Sequence, residues 1–132
     1  MQTLCEPPLR LDSLAADVIG AAIEVHRRLG RGFLESVYEA ALAEELRHRE
    51  IEFELQVPIP VHYREVLVGE HRLDLLVAGE LVVELKAVTG IVDAHVAQTL
   101  SYMKAGNFQL GLILNFNVAM MKNGVLRVIL PL

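Results

Sequence analysis

The alternation of apolar and polar residues divides the chain into three stretches with helical signals and five with strand signals. In "LAADVIGAAIEVHRRL", Leu14, Val18, Ala22, Val25 and Leu29 recur at helical spacing and predict a buried stripe. Asp12 or Ser13 can cap this helix, Arg27 and Arg28 suit its last turn, and Gly30 is the expected stop. A second helix is predicted over roughly 34–49, with Val37, Ala41, Leu42 and Leu46 inward. "FELQVPIPVHY" then changes to a period of two, and Phe53, Leu55, Val57, Ile59, Val61 and Tyr63 are expected on one face. Pro58 and Pro60 lack an N–H, which marks this as an edge strand.

Two further strands are expected at about 66–77 and 81–87, joined by Ala78-Gly79-Glu80. "DAHVAQTLSYMKAG" is a third helix, capped by Asp93 and ended by Gly106. The nearly unbroken apolar run of "FQLGLILNF" predicts a strand buried on both faces, and "GVLRVILPL" predicts a last strand. The order α, α, β, β, β, α, β, β predicts an α/β fold. An antiparallel three-stranded meander is followed by a helical crossover to a further, parallel strand, with helices on the sheet faces.

Composition narrows the class. A chain of 132 residues with 53% hydrophobic content suits one domain with a real core, expected over 12–132 after a flexible segment 1–11. No apolar run is long enough to span a bilayer, and the first residues lack a signal-peptide pattern, so a soluble, cytoplasmic protein is expected. The single cysteine, Cys5, excludes an intrachain disulfide and a cysteine-based metal cluster. None of the five histidines shows zinc-site spacing, and only His95 falls near the cleft predicted below. The net charge of −5 disfavours broad phosphate-backbone binding while leaving room for a local basic patch, such as Arg27, Arg28 and Arg31. Solvated helix-end charges explain those three arginines equally well.

Candidate chemistry sits in the second and third strands. A three-residue loop pairs Val77 with Leu81, which puts Asp74 opposite Glu84 and Arg72 opposite Lys86. Leu73, Leu75, Val77, Val83 and Leu85 then take the other face and enter the core. Facing carboxylates repel and destabilise a sheet unless a cation lies between them. Two oxygen donors plus water suit Mg²⁺ or Mn²⁺. Lys86, roughly 7 Å along the strand from Glu84, can orient an attacking water or stabilise phosphate charge. An internal salt-bridge network among Asp74, Glu84, Lys86 and Arg72 accounts for the same pattern.

Asp74 followed by Glu84-Leu85-Lys86 resembles the D…(D/E)xK signature of the PD-(D/E)XK nuclease superfamily, with Leu73 where the signature's name has proline. Gly32, Glu35 and Tyr38 in "GFLESVY" match G-x-x-E-x-x-Y, and the chain from about Leu14 onward resembles the bacterial GxxExxY protein family of that superfamily. Gln98 and Tyr102, four apart on the third helix, resemble the Q-x-x-x-Y motif of RecB-type nucleases, and His95 shares their helix face.

The resemblance implies a restriction-endonuclease-like fold and metal-dependent phosphodiester hydrolysis of DNA or RNA. It implies Asp74, Glu84, the Leu85 carbonyl and Glu35 as ligands of Mg²⁺ or Mn²⁺, and Lys86 as the catalytic lysine. Gln98 and Tyr102 would order the site, while Tyr38, Arg31 and His95 would contact substrate. The small acidic chain implies a short or structured substrate, a protein partner or a homo-oligomer. A catalytically silent binding or assembly module on the same fold is the alternative, and a phosphoesterase acting on small nucleotides is a third reading.

Overall fold

The computed structural model describes residues 6–131, so the first five residues of the segment expected to be flexible, Cys5 among them, lie outside the described residues. The chain forms α1 (Leu9–Leu29), α2 (Glu35–His48), β1 (Phe53–Tyr63), β2 (Val66–Val77), β3 (Leu81–Lys86), α3 (Asp93–Gly106), β4 (Leu110–Asn115) and β5 (Val125–Ile129). A short 3₁₀ turn, Met121–Gly124, precedes β5. The five strands lie in the order β1-β2-β3-β4-β5. The β1–β2, β2–β3 and β4–β5 pairs are antiparallel, and β3–β4 is parallel, as the intervening helix α3 requires. The mixed five-stranded sheet with three helices is the α/β arrangement expected from the element order.

Two apolar cores flank the sheet. One packs α1 and α2, through Val18, Ala22, Leu42 and Leu46, against Leu75, Val77, Val83, Leu85 and Leu112. The other packs Met103 and neighbouring α3 residues against Ile59, Leu73, Leu76, Val82 and Ile113. β4 is buried along its whole length, as its apolar run predicts. β1 pairs only with β2, and its prolines are exposed, which makes it the edge strand.

Several local expectations are corrected. Helix α1 starts at Leu9 after Pro8, not at Asp12 or Ser13, and Leu11 is buried within the segment expected to be flexible. Asp12 instead binds Arg127 of β5. In α2 the buried face is Tyr38, Leu42, Ala43 and Leu46, with Val37 turned outward. Helix α3 is capped at its start by Val92 and not by Asp93; it ends at Gly106 as expected, with Asn107 following in a left-handed conformation (φ 60°).

The main correction concerns sheet faces. Phe53 packs in the α1/α2 core, whereas Val57 and Ile59 pack in the α3 core. On β2, Leu73 goes to α3, whereas Leu75 and Val77 go to α1 and α2. Both strands change face at one level, where Gln56 takes a φ of +52° and the Gln56–Asp74 pair drops out of the ladder; a separate register shift lies farther along, between Val61 and His62. Alternation holds only while the pleat is regular, and a left-handed residue inside a strand rotates everything beyond it.

Candidate functional site

Asp74 occupies this switch point and is missing from both neighbouring ladders. The β2–β3 ladder starts at Val77↔Leu81 and ends at Leu75↔Val83, one pair short of Asp74 and Glu84. Side chains close the gap that the backbone leaves. Glu84 Oε2 accepts the Asp74 N–H at 2.9 Å, and Asp74 Oδ2 accepts the Leu85 N–H at 2.8 Å. The two carboxylates are therefore neighbours, as the loop length predicts, but they lie in a split in the sheet rather than on a regular face. The same split keeps Arg72 from facing Lys86. Arg72 donates to the Gln56 carbonyl at 3.1 Å instead. Leu85 directs its N–H toward this gap, and in an extended strand its C=O points to the same side.

Glu84 is only 5% exposed. Burial and then the charge of Asp74 push its carboxyl up to about 8, against the opposing pull of the Asp74 N–H and of Lys86. No ion pair joins Asp74, Glu84, Lys86 and Arg72 among the described residues, so the alternative of a salt-bridged scaffold lacks its bridges. Helix α2 adds Glu35 in its first turn and Glu39 one turn later. Partial desolvation and the charge of Asp74 raise both carboxyls. Glu39 also accepts a hydrogen bond from Gln56 Nε2 at 3.0 Å.

Tyr102 comes from α3 on the other side, where burial and the charges of Glu84 and Asp74 raise its phenol. Its ring stacks on His71 at an interplanar angle of 12°. His71 Nε2 is buried without a hydrogen-bond partner and lies 3.9 Å from Glu84 Oε1. Desolvation holds this imidazole below the usual histidine range.

The structure thus brings Glu35, Asp74, Glu84, Leu85, Lys86 and Tyr102 to one place. It does not do so for every predicted residue. Tyr38 is fully buried: its hydroxyl donates to Gly30 O at 2.6 Å and accepts from Phe33 N, and its ring stacks on Phe116. It is a core residue and cannot contact substrate. His95 closes its own helix start by accepting the Val92 N–H, so the histidine beside the acids is His71. Gln98 is exposed one turn before Tyr102, and Arg31 is exposed ahead of α2. Arg27 and Arg28 are both committed to Glu24.

His71, Glu39 and Gln56 were missed. Strict alternation puts His71, three residues before Asp74, on the opposite face, and the only signal against that was the crowding of polar residues around this level of β1 and β2.

A family model of the PD-(D/E)XK nuclease superfamily matches residues 12–128. The chain belongs to the PD-(D/E)XK nuclease superfamily. Comparison with curated proteins and with solved structures gives no match. Membership of the superfamily makes a nuclease domain acting on nucleic acid the coarse functional assignment, and such nucleases generally use divalent metals. No helix among the described residues is long and apolar enough to cross a membrane.

The residues fit a metal of that kind. Among the described residues, no three His, Cys, Asp or Glu side chains form a ready-made cage. A magnesium-type ion does not need one, since it binds through one or two carboxylates and completes its shell with water and substrate oxygens. Asp74 and Glu84, with the Leu85 carbonyl beside them, supply that hard-oxygen set.

Proposed function

We propose that the chain is a divalent-metal-dependent nuclease hydrolysing phosphodiester bonds of DNA or RNA in the split between β2 and β3. The observation that carries this reading is the buried Glu84 carboxyl beside Asp74 with no ion-paired lysine or arginine among the described residues. Such a pair is unfavourable alone and favourable around a cation. Asp74, Glu84 and the Leu85 carbonyl would hold Mg²⁺ or Mn²⁺. When bound, the ion would supply Lewis-acid activation of water and neutralise charge at phosphorus.

The chain's own groups do the rest. Lys86 extends from the end of β3 beside the acids and stabilises the charge that builds on the phosphate oxygens. Glu35, at the start of α2, adds a carboxylate at the outer rim. Tyr102 closes the opposite wall and orients the scissile phosphate. Gln98 and Arg31, both exposed, would meet the strand beyond the reacting phosphate.

The test is cleavage of labelled single- and double-stranded DNA and RNA with Mg²⁺ or Mn²⁺, with EDTA, and with Lys86→Ala. Cation-dependent cleavage by the wild type, reduced 10²-fold or more in the variant (an effect on the order of that for one lost electrostatic stabiliser), is expected. Cleavage indifferent to EDTA and to Lys86→Ala would refute the assignment.

A further inference from the structure

We propose that the chain pairs with a second copy of itself through the outer half of β2, the two copies of this strand lying edge to edge and antiparallel. The starting point is how far β2 outruns β3. The β2–β3 ladder stops at Leu75↔Val83, and over Val66–Glu70 the strand is laddered to β1 alone. Among the described residues, no main-chain group outside β1 bonds the main chain of that stretch. A two-stranded ribbon standing beyond its sheet is marginal in water. Its side chains are also wet: Tyr63, Val66, Leu67 and Val68 are between 59% and 65% exposed, and the space around Gly69 is open.

The two edges of the ribbon differ. The β1 edge carries Pro58 and Pro60, which have no N–H to offer a further strand. The β2 edge over "VLVG" has neither proline nor charge. An apolar, unguarded edge of this kind recruits another strand.

This edge is complementary to itself. Antiparallel strands match only where the facing residues direct their N–H and C=O groups alike, so a two-fold axis between two copies of β2 passes at a residue and not between two. With the axis at Leu67, Val66 of one protomer faces Val68 of its partner, and Arg64 at the turn comes opposite Glu70, at both ends of the seam. Tyr63 lies across from Val66 in the β1–β2 ladder and shares its face, so Tyr63, Val66 and Val68 of both copies gather on one side of a four-stranded ribbon. With the axis at Val68, Arg64 would face Arg72 and Val66 would face Glu70; with the axis at Val66, Val68 would meet the turn residue Arg64. Of these registers, only that at Leu67 joins apolar to apolar and opposite charge to opposite charge. The seam is smaller than the roughly 800 Å² per partner of a standard interface, so a weak dimer is expected, with a Kd of about 10 μM. It needs no metal and is independent of the cleavage chemistry proposed above.

The test is sedimentation velocity of the full chain over about 1–200 μM, for wild type, Arg64→Glu, Glu70→Arg and an equimolar mixture of the two variants. Both side chains are exposed, so neither change disturbs the core. Wild type should pass from monomer to dimer over this range. Each variant alone sets like charges together at both ends of the seam and should dimerise about 10-fold or more weakly. In the mixture both ends regain opposite charges, and a heterodimer within about 3-fold of wild-type affinity should form. Wild type that stays monomeric throughout would overturn the proposal and leave the strip to a different protein or to nucleic acid. A dimer that neither substitution weakens would lie on another surface and would equally overturn it. Weakening by each variant without recovery in the mixture would overturn the Leu67 register.

Discussion

At the scale of single residues, the chemistry is set by what surrounds Glu84. Its carboxyl titrates near 8 in the metal-free protein, against 4.5 for an ordinary glutamate. A raised native value means that the folded state holds the proton more tightly than the unfolded state. The associated stability is therefore fully present below pH 4.5 and is lost as pH rises through about 8. Between pH 5 and pH 8.5 the metal-free protein should lose roughly 2–4 kcal/mol from this group. Glu84→Gln keeps an oxygen to accept the Asp74 N–H and carries no charge. It should remove most of that slope, measured by urea unfolding at the two pH values, and should leave the protein more stable than wild type at pH 8.5. An unchanged slope would mean that Glu84 is solvated.

Tyr38 makes the opposite point. Its match to a motif suggested a role in substrate contact, yet its two hydroxyl hydrogen bonds and its stack on Phe116 lie in the core. Tyr38→Phe should cost about 1–2 kcal/mol in unfolding free energy and leave the cleavage rate of the folded protein within about 2-fold of wild type. Spacing places a tyrosine on a helix but does not tell which face that helix buries.

At the scale of elements, the antiparallel meander, the edge position of β1, the buried β4 and the parallel crossover were all legible, because each follows from hydrophobic period, proline placement or element order; the place of β5 beside β4 was not. The pairing of Asp74 with Glu84 followed from loop length. The change of face was not legible. It depends on Gln56 adopting a left-handed conformation, which a glutamine does not advertise. His71 was hidden for that reason.

The far end of β3 is fixed by Asn115, which is 2% exposed and bonds Val88 N, Val88 O and Asn117 N. These bonds tie the segment leaving Lys86 to the end of β4. Asn115→Ala should cost about 2–3 kcal/mol in stability. It should also lower cleavage in the protein that remains folded, because the strand end carrying Lys86 loses its anchor. Thermal unfolding and an assay of the same samples would separate the two effects. Full activity in the folded fraction would show that the Asn115 tie does not position Lys86.

At the scale of the whole molecule, the split in the sheet lets two layers reach one site: α2 brings Glu35 from one side and α3 brings Tyr102 from the other. The rest of the surface is acidic overall, with a net charge of −5, and offers few cations to a phosphate backbone. Nucleic-acid binding should therefore depend weakly on salt once the divalent cation is present. The slope of log affinity against log salt should be shallower than about −3, measured by fluorescence anisotropy with a non-cleaving metal. A steep slope would point to a basic surface contributed by a partner.

The most direct test of the central claim is calorimetric titration of Mn²⁺ into the wild-type chain and into Asp74→Asn at pH 7. One ion per chain in the wild type, with affinity lost by 10-fold or more in a folded variant, is the predicted result. Equal binding by both proteins, or no binding by either, would contradict a cation site built on Asp74 and Glu84.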